Sequence, residues 1–400
     1  MLNKFIKFQN ALLNQISNIT YKRYFYDKYL LNNQEKLLSI LGARGVGKTT
    51  ALLQYLKENQ LSFKEKLYIS ADWIDSESIF DIAEKFYNMG GKLLIIDEIH
   101  KYPNFEKELK NIYDIFDIQV IISGSSILKI DNSKADLSRR LLKRDIKGLS
   151  FREFLELKYD IKLSTFTLEE ILTSHQDIYF SLQTPEIRSF SQELKEYYKV
   201  GYYPFYHQDD EAYFLKLKET INVILEIDLV AISNIKYTTI RKFKKLIEYI
   251  CTSYPYKPNI QKLLTQIDMP KTYYSEFYEY LDYLHKAKVL RIIKSANKKD
   301  AILTKPEKIY LNNPNLYYVY CDNYEIGTIR ETFFSCMMED YDIYCANKGD
   351  FIIDKYTFEI GGKNKTKKQI QNINNAFIVQ DDIEIGNNNT IPLWMFGFLY

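Results

Sequence analysis

A run of consecutive residues near the start of the sequence has the types and spacing of a phosphate-binding loop. It fills every fixed position of the pattern G-x-x-x-x-G-K-[ST], in which glycines let the backbone curl so that successive N–H groups face one anion. The residues are Gly42, Ala43, Arg44, Gly45, Val46, Gly47, Lys48 and Thr49, and Thr50 follows them. Lys48 supplies a positive charge for the terminal phosphates, and the Thr49 hydroxyl supplies a magnesium ligand. The pattern therefore predicts a site for ATP and Mg²⁺.

Two carboxylates at the end of an apolar segment complete this site. Residues 92–97 form a continuous apolar run that ends in Asp97, as expected of a buried parallel strand, and Glu98 follows. Ligands of open α/β sheets bind at the carboxyl ends of the strands, so we expect Asp97 to lie beside Thr49 and to hold the magnesium ion through water. We expect Glu98 to be the catalytic residue that polarises the attacking water.

Two later segments contribute further candidate contacts to phosphate. Residues 119–126 repeat the buried-strand pattern and end in hydroxyl groups, those of Ser123 and Ser125 among them, that could touch the terminal phosphate or its attacking water. The four residues 123–126, Ser-Gly-Ser-Ser, are also typical of an ordinary turn. Arg139 and Arg140 precede the next short strand, where an arginine could stabilise charge during phosphoryl transfer, from within the chain or from a neighbouring subunit. A solvated basic helix end is the alternative for both arginines.

A parallel sheet is needed to position these residues. Strand candidates alternate with helical segments, which is the pattern of a sheet covered by helices. The strand candidates lie at 37–42, 67–71, 92–97, 118–123 and 144–148. We therefore predict an α/β P-loop core over residues 1–150 and a helical lid over 151–230. A lid of this kind converts nucleotide state into movement.

The next segment, 231–315, reads as three helices followed by two short apolar runs. This order resembles a winged helix-turn-helix, so DNA contact is one prediction for the segment. Its third helix, 271–288, also carries Glu276, Glu279 and Asp282, which repel phosphates. A structural or protein-docking role is the alternative.

The last segment, 316–400, contains the residue types of a metal-dependent nuclease. Such a site needs two or three carboxylates on a hard cation and a lysine near the attacking water. The candidate metal ligands and lysine are Glu331, Asp350, Glu359 and Lys363. The spacing departs from the usual pattern, because lysine is expected two residues after the last glutamate, where this chain has a glycine. Cleavage of nucleic acid and a catalytically inactive domain are both open.

Together the motifs resemble those of a family of AAA-type P-loop ATPases from bacteria and archaea. The shared runs are 42–50, 96–103, 124–126, 136–140 and 148–155. The resemblance spans nearly the whole chain, and it implies an ATPase core, a winged-helix segment and a small α/β C-terminal domain similar to PD-(D/E)XK restriction endonucleases.

Composition and charge limit the class of protein. A chain of 400 residues is long enough for two or three domains, and 54 basic against 52 acidic residues make nucleic-acid binding a matter of local patches. No apolar stretch is long enough to cross a membrane, so we expect no membrane partner. Four cysteines without C-x-x-C spacing indicate neither a zinc site nor a disulfide framework, and we expect a cytoplasmic protein.

Two functions of different classes follow from these observations. The main hypothesis is an ATP-hydrolysing protein whose nucleotide state repositions the winged-helix and nuclease-like domains, with DNA as a candidate partner. The alternative is a slow nucleotide-dependent switch or scaffold that binds a protein partner and has an inactive C-terminal domain. The sequence leaves the oligomeric state open.

Overall fold

The computed structural model contains two compact units, each with its own sheet. The structure describes residues 2–125, 137, 139–205, 209–230, 235–251, 258–296 and 305–400. The first unit holds the described residues up to Lys147, and the second holds those from Gly148 onward.

The first unit is an α/β domain. Its helices are α1 (Leu2–Gln15), α2 (Lys48–Glu58), α3 (Ile79–Asn88) and α4 (Phe105–Ile115). Its strands are β1 (Leu37–Gly42), β2 (Lys66–Ser70), β3 (Leu93–Asp97), β4 (Gln119–Ser125) and β5 (Leu142–Ile146). Within the described residues these strands form one five-stranded parallel sheet in the order β2-β3-β4-β1-β5. The predicted α/β core with a parallel sheet is confirmed.

The apolar runs of the sequence form the centre of this sheet. Every residue of β1 and β3 is buried, so side chains on both faces of these strands are covered. Leu94 and Ile96 share one core cluster with Ile82 of α3 and Leu109 of α4. Continuous burial explains why the strands read as unbroken apolar runs rather than as alternating patterns.

The second unit begins with helices. They are α5 (Phe151–Tyr159), α6 (Leu168–Ser181), α7 (Phe190–Val200), α8 (Asp210–Val223), α9 (Tyr237–Cys251), α10 (Ile260–Gln266) and α11 (Tyr274–Lys286), with α12 (Pro314–Tyr320) and α13 (Ile326–Met337) later in the chain. Its strands are β6 (Leu290–Ser295), β7 (Lys308–Leu311), β8 (Ile343–Cys345), β9 (Phe351–Ile353), β10 (Tyr356–Gly361), β11 (Ala376–Gln380) and β12 (Thr390–Pro392).

One sheet runs through most of the second unit. Among the described residues it has seven strands in the order β12-β11-β10-β9-β8-β6-β7. Strand β6 pairs antiparallel with β7 and parallel with β8, so the pair that follows α11 is continuous with the C-terminal strands. The predicted boundary at residue 315 therefore falls within a single sheet. The division of the chain into four domains stays a prediction.

The helices predicted as a lid belong to the second unit and contact its last residues. The carboxylate of Glu384 accepts hydrogen bonds from the backbone N–H groups of Phe190 and Ser191 at the start of α7, each at 3.0 Å. The Phe190 ring stacks on Trp394 with 4.3 Å between ring centroids. These contacts join residues almost 200 positions apart in sequence into one core.

A disulfide joins Cys251 at the end of α9 to Cys321 after α12. The expectation that the cysteines form no disulfide is therefore wrong for this pair. The two residues are 70 positions apart, and the packing of α9 against α12 brings them together. No spacing rule could have found the pair.

The cytoplasmic location, which used the cysteine argument, stays a prediction. None of the described helices has the length and apolar character of a membrane span.

Candidate functional site

The phosphate-binding loop joins the end of β1 to the start of α2. Gly45 and Gly47 have φ angles of 85° and 91°, a left-handed conformation in which a side chain would be strained. Gly47 directly precedes α2, so the N–H groups of the first helical turn, which have no partner within the helix, adjoin the loop. A helix start combined with a curled glycine loop is suited to an anion, and the residues present fit a bound phosphate chain.

The side chain of Lys48 lies against its own loop. Its ammonium donates hydrogen bonds to the carbonyl oxygens of Gly42 and Ala43, both at 2.9 Å, and the side chain is buried. These contacts hold the positive charge at the mouth of the loop, close to the residues that would surround a phosphate.

The next residue links the loop to the end of β3. The Thr49 hydroxyl donates to Oδ2 of Asp97 at 2.6 Å. The structure thus brings together the hydroxyl and the carboxylate that the sequence assigns to magnesium. A hydroxyl and a carboxylate are oxygen ligands of the kind that Mg²⁺ prefers.

Asp97 accepts two further hydrogen bonds, from Tyr68, which no sequence pattern singled out, and from Ser123, whose hydroxyl was expected near the phosphate. The hydroxyl of Tyr68 on β2 donates to Oδ2 at 2.6 Å, and the hydroxyl of Ser123 on β4 donates to Oδ1. Burial, and then the charge of Asp97, raises the pKa of Tyr68, so the phenol stays a donor. The carboxylate is only 2% exposed and is held from both neighbouring strands.

Strand pairing explains the contact of Tyr68 with Asp97, and the sequence gives no local signal for it. Tyr68 lies in the buried strand β2 and pairs in register with Ile95, on the same face of β3 as Asp97. A buried tyrosine hydroxyl needs a partner, and the nearest carboxylate along that face is Asp97.

Glu98 occupies a tight turn after β3. Its φ is 54°, and its backbone N–H donates to Oδ1 of Asp97 at 3.1 Å and to the Ser123 hydroxyl at 3.2 Å. Its carboxylate Oε2 lies 3.3 Å from Nδ1 of His100. The His100 side chain is 3% exposed, and the Glu98 side chain is 20% exposed. Glu98 therefore reaches solvent while a buried imidazole contacts its carboxylate.

Three other residues were predicted to contact phosphate: Ser125, Arg139 and Arg140. Ser125 is buried at the end of β4. Arg139 is exposed. The guanidinium of Arg140 donates to both carboxylate oxygens of Asp114, from Nε at 2.8 Å and from a terminal nitrogen at 3.1 Å, which ties it to α4. Of the shared motif runs, Ser126, Asp136 and Ser138 lie outside the described residues.

Arg23 is a further residue that the sequence analysis did not identify. Its buried guanidinium donates to the carbonyl oxygen of Val46 at 2.6 Å and to that of Lys147 at 3.0 Å. These bonds tie the phosphate-binding loop to the backbone just after β5. Arg23 is separated from Val46 by 23 positions in sequence, and it gives no sequence signal for such a contact.

A second cluster of charged residues lies in the second unit. The ammonium of Lys308 on β7 lies 2.7 Å from Oε2 of Glu331 on α13 and 3.0 Å from Oδ1 of Asp350. The hydroxyl of Tyr310 also donates to Glu331. Burial is the largest cause that raises the pKa of Glu331, whereas the two carboxylates together raise the pKa of Lys308 against the opposing effect of burial.

The lysine beside Glu359 is not the predicted one. Lys365 Nζ lies 2.5 Å from Oε1 of Glu359, whereas Lys363 is exposed. The chain turns after Gly361, with the Lys365 N–H bonded to the Gly362 carbonyl at 2.9 Å, and this turn directs Lys365 back to the strand. Glu359 is fully buried, and burial raises its pKa. In the part of the chain that the structure describes, no three His, Cys, Asp or Glu residues are grouped to hold a metal ion.

The comparisons with known proteins agree with the P-loop geometry. Residues 34–155 match the model of a family described as an AAA domain, and residues 191–322 match a domain of unknown function (DUF8612). The first of these matches covers the loop, Asp97 and Glu98, so this part of the chain is similar to an AAA domain.

Among whole proteins, the chain is similar to two uncharacterized proteins of Methanocaldococcus jannaschii. MJ1637 is 27% identical over 413 residues, covering 93% of this chain and 86% of the relative. MJ1544 is 23% identical over 393 residues, covering 89% and 83%. Their names assign no activity.

Solved structures overlap only weakly with this chain. AMPPCP-bound DnaA from Aquifex aeolicus is 15% identical with a TM-score of 0.29, covering 68% of this chain and 92% of that one. A katanin self-assembly structure is 15% identical with a TM-score of 0.25, covering 39% and 57%. Scores this low carry no argument about fold or function.

Proposed function

We propose that the first unit binds and hydrolyses ATP with Mg²⁺. The observation that carries the proposal is the 2.6 Å hydrogen bond from Thr49 to Asp97, which joins the phosphate-binding loop to the carboxylates at the end of β3. A glycine loop alone supports phosphate binding. A loop joined to an acidic strand end also supports metal-assisted hydrolysis.

In this proposal each group of the site has a separate task. The N–H groups of the loop and the Lys48 ammonium bind the phosphates, and the Thr49 hydroxyl and Asp97 hold the metal position. Mg²⁺, when bound, neutralises charge on the phosphate oxygens. Tyr68 and Ser123 fix the orientation of Asp97, as outer hydrogen-bond partners do for metal ligands.

Glu98 takes the part of the residue that orients and polarises water. Its partly exposed carboxylate adjoins the metal-holding Asp97, and its turn is fixed by hydrogen bonds from its own N–H. A base fixed in position needs less reorganisation when it accepts a proton.

The test separates binding from turnover. Glu98→Gln keeps the size of the side chain but removes its charge, so we expect it to bind a fluorescent ATP analogue like wild type while phosphate release falls by about 100-fold or more. Lys48→Ala should lose both. Undiminished phosphate release from Glu98→Gln would refute the role of Glu98.

We also propose that nucleotide state repositions the second unit. The order of α9, α10 and α11 followed by the β6–β7 pair supports a winged helix, and the α13 and β8–β11 segment supports a nuclease-like domain. DNA is the candidate partner. Turnover measured with and without single- and double-stranded DNA tests this, and strong stimulation by DNA is the expected result.

A switch that binds a protein partner is the second candidate. The observation in its favour is the acidic character of α11, which carries Glu276, Glu279 and Asp282 where a DNA-reading helix would carry basic residues. Slow turnover that DNA leaves unchanged would support this candidate over the first.

A further inference from the structure

We propose that Lys308 is the resident cation of the Glu331–Asp350–Glu359 cluster, so that this nuclease-like site binds no divalent metal in the native chain. The inference concerns the second unit and does not depend on ATP hydrolysis.

The three carboxylates come from separate elements of the second unit, and Lys308 contacts two of them, Glu331 and Asp350. Glu331 lies on α13, Asp350 directly precedes β9, and Glu359 lies on β10. Carboxylates that converge in this way would suit a hard cation such as Mg²⁺ or Mn²⁺ if the space between them were open.

The space between two of them contains an ammonium group. Lys308 Nζ is within ion-pair distance of both Glu331 and Asp350, at 2.7 and 3.0 Å. The three side chains are 13%, 10% and 17% exposed, so the contact is largely closed to solvent. A metal ion bound by the same two oxygens would need metal–oxygen distances of about 2.0–2.2 Å. An ion at that position would overlap the lysine nitrogen.

The position of Lys308 is set by the fold. It lies on β7 and pairs in register with Ile293 of β6, and its ammonium lies 4.8 Å from the centroid of the Phe351 ring. A strand residue in a sheet has little backbone freedom, so the lysine reaches the carboxylates without ordering a loop. Strand β7 precedes the nuclease-like segment in sequence, which explains why motif spacing within that segment gave no sign of it.

Other protein donors occupy oxygens that a metal would use. The Ile360 N–H donates to Oδ2 of Asp350 at 2.9 Å, and the Tyr310 hydroxyl donates to Glu331. Lys365 pairs with Oε1 of Glu359 at 2.5 Å. Each carboxylate therefore has at least one protein partner, and the ligand set does not fit an added divalent cation.

The experiment measures binding of Mn²⁺ alone to the full chain by electron paramagnetic resonance. All proteins carry Asp97→Asn, so that the phosphate-binding loop contributes no metal site. The background protein should show no saturable binding up to roughly 1 mM Mn²⁺, the weak end of protein cation sites. Adding Lys308→Met, which keeps much of the side-chain length but removes the charge, should create one site that binds Mn²⁺ at least about tenfold tighter than this limit. A further Asp350→Asn change should abolish that site.

The matched control is Lys365→Met, which removes the partner of Glu359 but leaves Lys308 in place and should create no site. Circular dichroism and Mn²⁺-dependent thermal shifts show whether each variant is folded and whether it is stabilised by the metal. A folded Lys308→Met variant without Mn²⁺ binding would overturn the proposal. Saturable Mn²⁺ binding by the background protein that Asp350→Asn abolishes would also overturn it, even if Lys308→Met does not fold.

Discussion

The hydroxyl of Tyr68 should contribute to magnesium affinity through Asp97. Tyr68→Phe removes one oxygen atom and leaves the ring in its buried site. The lost hydrogen bond, 2.6 Å long and made to a buried carboxylate, belongs to the class whose net contribution is about 1.5–3 kcal/mol. Asp97 keeps its bonds from Thr49 and Ser123, so we expect a change near the low end of this range.

A loss of about 1.4 kcal/mol corresponds to tenfold weaker binding. We therefore expect the Mg²⁺ concentration that gives half-maximal phosphate release to rise about tenfold, as is common when the outer partner of a metal ligand is removed. The maximal rate at saturating Mg²⁺ should stay near that of wild type, because Lys48 and Glu98 are unchanged. A fluorescent ATP analogue titrated with Mg²⁺ gives a second readout that does not depend on turnover.

The matched control is Tyr26→Phe. Tyr26 is also a buried tyrosine whose hydroxyl donates to a carboxylate, in this case Oε2 of Glu58 at 2.8 Å, outside the cluster around Asp97. It should lose stability without a change in magnesium dependence. If Tyr68→Phe shows the same half-saturating Mg²⁺ concentration as wild type and the control, the reasoning that Tyr68 positions Asp97 is refuted.

Three other substitutions test contacts elsewhere in the chain. Lys308→Met should lower the free energy of unfolding by about 3–5 kcal/mol in a urea titration, since it leaves buried Glu331 and half-buried Asp350 without their shared cation. Lys363→Met should change it little, because Lys363 is exposed, and equal effects of the two substitutions would contradict the closed cluster. Cys251→Ser should lower the free energy of unfolding by about 4 kcal/mol, the loop-entropy value for a 70-residue separation. A reductant that destabilises wild type should leave this variant unaffected. A variant as stable as oxidised wild type would argue against the disulfide. Arg140→Ala should change the rate of phosphate release by less than about threefold, because the Arg140 guanidinium is hydrogen-bonded to Asp114. Asp114→Ala should have the same small effect. A loss of about 100-fold confined to the arginine variant would instead show that Arg140 acts on phosphate.

The two charged clusters differ in how they can respond to a ligand. At Asp97 the side-chain donors are neutral hydroxyl groups, which supply no positive charge in place of a metal. At Glu331 and Asp350 one of the donors is the Lys308 ammonium, which carries the charge that a metal would supply. Under the two proposals, carboxylates of the same type hold a metal in the first unit and exclude one in the second.

The sequence by itself determined the phosphate-binding loop pattern of the first unit and the sheet that carries it. The loop 42–49 is contiguous, and its geometry depends on glycines within the loop and on the strand and helix that adjoin it. Buried parallel strands read as apolar runs wherever they occur, so β1, β3 and β4 were predictable without knowledge of their neighbours. Local chemistry of this kind is encoded by adjacent residues.

Only the tertiary structure decided which distant residues join these sites. Tyr68 reaches Asp97 because β2 lies beside β3, and Lys308 reaches Glu331 because one sheet continues from β7 to the C-terminal strands. Cys251 contacts Cys321, 70 positions away in sequence, because α9 packs against α12. Contacts between elements far apart in sequence depend on strand order and helix packing, and a single sequence carries no local pattern for them.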